Sequence, residues 1–133
     1  LHFYCSYEIW VAVDGKISVD VNGRKRVIGI YSKGKITKNK ITGKERTISV
    51  PIYYSYGIDN LGSCIDFLVE EGYWQKNKSG VISVPELKLE LTRNKLIKII
   101  EEKGWEDRIV TLVGRVWNEI EQSIAIDRKP RYK

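Results

Sequence analysis

The chain has 133 residues, 42% apolar and 30% charged, an ordinary composition for one modest soluble domain with a real core. No apolar run approaches the roughly 20 residues that span a bilayer. With only Cys5, Cys64 and the single His2, neither a disulfide framework nor a four-ligand zinc site can be assembled.

The net charge of +6 is uneven. Residues 1–50 carry ten Lys/Arg against four Asp/Glu, residues 51–126 nine against twelve, and the last seven, DRKPRYK, four against one. A basic first part and a basic tail around an acidic middle suit contact with phosphate or nucleic acid, although solubility needs no such partner. A chain that opens at Leu1 directly in a strand pattern, with no methionine, is expected to be the C-terminal part of something longer.

Phe3 to Val13, FYCSYEIWVAV, is rich in aromatic and β-branched residues and reads as a strand. Asp14-Gly15 predicts a turn, Lys16 to Val21 a short strand, and Asn22-Gly23 a second turn. Arg24 to Lys38 returns as a longer strand bent at Gly29 or Gly34, and Thr42-Gly43 turns the chain again. Arg46 to Tyr56 closes an antiparallel meander, with Pro51 demanding an edge position or a bulge.

From Ile58 the period changes. Ile58, Leu61, Ile65, Leu68 and Val69 recur at three and four, the pattern of an amphipathic helix that Asp59 or Asn60 caps and Gly72 ends. Gln75 to Gly80 is a polar loop. Val81 to Leu91 contains Pro85 and is extended or irregular. Thr92 starts a helix ended by Gly104, and a last helix runs from about Trp105 to Ile124 on the stripe Ile109, Leu112, Val113, Val116, Trp117, Ile120. The tail after Ile126 is basic and is expected to be disordered. The fold class is therefore α+β, antiparallel strands followed by a small helical part.

Chemistry is concentrated in Lys35 to Ile58, KITKNKITGKERTISVPIYYSYGI. Lys38 and Lys40 alternate along an extended segment and should project together, a two-cation fork suited to phosphate. On spacing alone, a solvated edge strand protected by lysines is the more economical reading. Tyr54 and Tyr56 share a face opposite Tyr53, so at least one set is exposed and available to stack on a base. The Gly-Lys pairs lack the flanking glycine and following Ser/Thr of a P-loop. Glu70-Glu71 and Glu101-Glu102 are adjacent residues at helix ends and do not face each other. No self-contained active site results.

Three motifs, in this order, resemble the C-terminal half of a RecA-type recombinase: LHFYCS (Leu1 to Ser6), KITKNKITG (Lys35 to Gly43) and PIYYSYGIDNLGSCIDFLVEEGYW (Pro51 to Trp74). The resemblance covers Leu1 to about Gly80, and Leu91 to Ile124 suits that family's small helical C-terminal domain. The divergence suggests a phage-type or otherwise remote member.

The resemblance implies a RecA-like core portion over residues 1–78, a helical domain over 79–126 and a flexible basic tail over 127–133. It also implies that Lys38 and Lys40 reach the γ-phosphate of ATP bound to a neighbouring subunit, that Phe3 packs into that neighbour, and that Tyr54 lies against the adenine of its own subunit. ATP and Mg2+ would belong to the full-length parent, with neither held tightly by this chain alone. The implied partners are single- and double-stranded DNA and further copies in a helical filament, with no membrane, in the cytoplasm of a bacterium or a phage-infected host. His2 stands where the family usually has lysine, Ile41-Thr42-Gly43 replaces a proline-containing segment, and Ser55-Tyr56 replaces a small and an acidic residue. The family's P-loop, catalytic glutamate and DNA loops lie upstream of the matching region. The alternative is a free-standing basic nucleic-acid-binding module without ATPase activity.

Overall fold

The computed structural model describes residues 4–128, so His2, Phe3 and most of the basic tail lie outside the described residues. The fold is α+β, with two antiparallel sheets and three helices among the described residues. The chain divides into two compact units at Ser63.

The first unit is a meander of β1 (Tyr7–Val21), β2 (Arg24–Asn39), β3 (Arg46–Tyr53) and the short β4 (Gly57–Ile58), hydrogen-bonded in that order. The turn expected at Asp14-Gly15 does not form. β1 runs straight through it, because the unbroken β2 offers a partner along the whole length. Gly15 is not among the glycines with positive φ, and Asp14 is absorbed as a bulge between Val13 and Gly15. The chain turns instead at Asn22 and Gly23, with φ of 52° and 71°, the geometry of a tight hairpin. Two further register shifts, at Thr37 and Ile28, leave one residue of β2 unpaired in each place.

Gly29, beside the second shift, is where β3 comes closest. A Cβ there would sit 2.4 Å from the Ile52 carbonyl oxygen, so only glycine fits. Pro51 pairs in register with Tyr31, and its carbonyl accepts the Asp59 N–H at 3.0 Å. The N–H and C=O of a strand residue point to the same side. The donor that proline lacks therefore falls away from β2, where β4 pairs only with Ile52 and Tyr53. β3 stops at Tyr53, short of the expected Tyr56, because Tyr54–Tyr56 form the turn into β4.

The helix α1 (Asn60–Glu70) begins at Asp59, whose Oδ1 accepts the Gly62 N–H at 2.8 Å, the N-cap bond. Gly72, at φ 72°, ends it. The second unit adds a three-stranded sheet, β5 (Gln75–Lys76), β6 (Val81–Val84) and β7 (Leu89–Thr92). The stretch read as extended or irregular is thus a hairpin, turned at Pro85 to Lys88. Helices α2 (Arg93–Lys103) and α3 (Glu106–Ser123) follow, separated by Gly104 in the left-handed conformation. Ile65 and Leu68 of α1, Trp74, Ile82 and Val84, Leu96 and Ile100 of α2, and Ile109 and Val116 of α3 are all buried. The core of the described chain lies almost wholly in this second unit.

Candidate nucleotide-contacting strand ends

The Lys38-Asn39-Lys40 segment sits at the end of β2, and its middle residue builds the setting. The Asn39 carboxamide oxygen accepts the Ile41 and Thr42 N–H groups at 3.1 and 3.0 Å. Its Nδ2 donates to Thr42 Oγ1 at 2.6 Å and to the Lys44 carbonyl at 3.1 Å. The Gly43 N–H then closes the turn onto the Asn39 carbonyl at 2.9 Å. One side chain thereby satisfies the backbone of a whole loop, as asparagine does in turns.

The two lysines are unequal. Lys38 is half-buried and stands opposite Glu8 of β1, whose carboxylate also accepts the Trp10 indole N–H at 2.7 Å. Lys40 lies just past the strand in the turn and is exposed, yet its N–H still extends the ladder to the Ser6 carbonyl at 3.0 Å.

Tyr54 lies at the far end of the same sheet. It is 68% exposed, as is Tyr56, whereas Tyr53 is half-buried. Its N–H donates to the Ile28 carbonyl at 3.0 Å, so it is tied to β2 ten residues before Lys38. At the rise of an extended strand that is roughly 30 Å. Lys40 lies outside the strand, so the alternation expected to project the two lysines together does not extend to it. Within one chain the lysines and the tyrosine are kept apart and cannot grip the same small molecule. Phe3 lies outside the described residues.

Between the two ends the sheet is two-sided. Cross-strand partners place Ile9, Val11, Val13, Ile36, Ile48 and Val50 on one face with Ser32, Gly34 and, at one end, Arg46, while Trp10, Ala12, Lys33, Lys35, Thr47 and Ser49 take the other. On the apolar face Ile9, Val11, Val13 and Ile48 are each more than half exposed. Sequence reasoning reached the lysines and Tyr54 but passed over Asn39 and Glu8. An asparagine beside a Thr-Gly turn was the signal available for the first; the second shows only through pairing register.

No protein-family model matches the chain. The chain is similar to Protein RecA of Lactococcus lactis subsp. cremoris, at 32% identity over 77 residues, in strains MG1363 and SK11 alike. The aligned stretch is 58% of this chain but 20% of Protein RecA, so the chain spans about a fifth of the relatives it matches. The relationship is remote. Among the described residues no helix is long and apolar enough to cross a membrane.

Proposed function

We propose that this chain is a C-terminal portion of an ATP-dependent DNA recombinase of the RecA type, acting in homologous recombination and repair on a single-stranded DNA filament. The 77-residue similarity to Protein RecA carries this reading. Two features of the fold support it. The fork and Tyr54 stand at opposite ends of one sheet, which suits a nucleotide held between subunits: Lys38 and Lys40 toward the phosphates of a neighbour's ATP, Tyr54 toward adenine in its own. The apolar face of the first sheet is left bare, which suits a unit that completes a larger core.

The residues fit the nucleotide unevenly. Lysine ammonium groups suit phosphate oxygens. Among the described residues no three His, Cys, Asp or Glu side chains converge. In a polypeptide that joins these residues to a P-loop half, Lys38→Ala with Lys40→Ala should abolish DNA-dependent ATP hydrolysis while circular dichroism stays unchanged. The pure 133-residue chain should not hydrolyse ATP. The second reading, a free-standing basic nucleic-acid module, rests on the +6 charge and predicts otherwise. The chain alone would bind DNA in a salt-dependent way, and the lysine changes would only weaken that binding modestly and uniformly.

A further inference from the structure

The hairpin of β1 and β2 outruns the rest of its sheet. β3 pairs with β2 no further than Gly29, opposite Tyr53, and the Tyr54 N–H reaches the Ile28 carbonyl at 3.0 Å. Beyond that point, among the described residues, 18–21 and 24–27 pair only with each other, and every residue from 18 to 27 is exposed. The result is a two-stranded arm of four residue pairs, roughly 14 Å long.

Strand alternation sorts the side chains of this arm. Val19 stands opposite Arg26 and Val21 opposite Arg24, so these four share one face. Asp20, opposite Lys25, takes the other face with Ser18 and Val27. Asp20 is the only carboxylate in the arm, so the arginine face carries none of its own. Neither arginine makes an ion pair among the described residues. Two free guanidinium groups therefore stand roughly 7 Å apart along β2. Beside them Val19 and Val21 are 41% and 42% exposed. Solubility of a bare ribbon needs charge of either sign on either face, and does not call for this sorting.

We infer that the arm docks duplex DNA by lying in its major groove, with Arg24 and Arg26 against the phosphates that line it. The strands of a ribbon lie about 4.8 Å apart, and a groove about 12 Å wide admits such a ribbon. The guanidinium fork matches phosphate oxygens, and the valines supply apolar contact on the same surface. The arm has no aromatic residue to stack on unpaired bases, which sets it against a single strand. Neither ATP nor the lysine fork takes part, so this site goes beyond the recombinase reading, and ATP hydrolysis by the joined polypeptide tests that reading separately.

Fluorescence anisotropy of a fluorescein-labelled duplex of about 20 base pairs, titrated with the 133-residue chain at about 50 mM salt, tests the arm. Saturable binding is expected. Arg24→Gln with Arg26→Gln should weaken it roughly tenfold and lower the slope of log affinity against log salt by about two. Circular dichroism should not change, because both side chains are exposed. Lys25→Gln removes a charge between the two arginines from the far face, and should cost less than either arginine change alone. Absence of saturable duplex binding overturns the inference, as does a Lys25→Gln effect equal to that of Arg24→Gln or Arg26→Gln. So does displacement of the duplex by a single strand, or by vesicles of anionic phospholipid, more effective than displacement by unlabelled duplex.

Discussion

Asn39 makes four side-chain hydrogen bonds across the 39–44 turn, two as acceptor and two as donor. Without them the Ile41 and Thr42 N–H groups turn to water and the loop gains conformational freedom. Asn39→Ala should cost about 1–2 kcal/mol, as loss of a comparable cap does, read as a lower urea midpoint at unchanged slope. Asn39→Asp keeps both acceptor bonds and should lose less. Equal stability of all three proteins would show that the turn stands without its asparagine.

At the level of elements, the tightest approach in the first sheet is between β2 and β3 at Gly29. A methyl group there meets backbone on the partner strand, with the Tyr53 Cα at 3.1 Å as well as the Ile52 oxygen, and no side chain can move aside. Gly29→Ala should therefore part the two strands locally and destabilise the chain by roughly 2–3 kcal/mol. Tyr54, anchored through Ile28 next door, should gain mobility, measurable as faster exchange of its amide. Gly34→Ala provides the control, because its nearest neighbour is the Ile48 side chain at 3.5 Å.

How much of these elements could be read in advance depended on how local their causes are. The hairpin at Asn22-Gly23, a cap at Asp59 or Asn60, and the Gly72 and Gly104 stops are each fixed by a few neighbouring residues and can be read locally, with the structure choosing Asp59. Asp14-Gly15 looks like the same kind of signal and is not, since pairing with β2 outweighs local turn preference there. The β6–β7 hairpin was ambiguous because four-residue strands around a proline carry too little periodicity. For the candidate site, the lysines and Tyr54 were legible as residue types. Their separation was not, because it depends on which strand pairs with which.

For the whole molecule, stability should be lopsided. The fully buried large side chains belong to the second unit, whereas the first presents a sheet on one face of which Ile9, Val11, Val13 and Ile48 are exposed. In native-state hydrogen exchange, amides of β1–β3 should open at lower free energy than those of Leu68, Leu96 and Ile100. A single shared opening energy would contradict this and make the two units one cooperative body.

The distance between the lysine fork and Tyr54 has a genetic consequence under the recombinase reading. If each site takes its fork from one subunit and its tyrosine from the next, a chain damaged at Lys38 and Lys40 still offers a sound Tyr54, and a chain damaged at Tyr54 still offers a sound fork. Two variants that are each dead alone should then rescue one another when co-expressed, because some junctions in the mixed assembly draw an intact half from each parent.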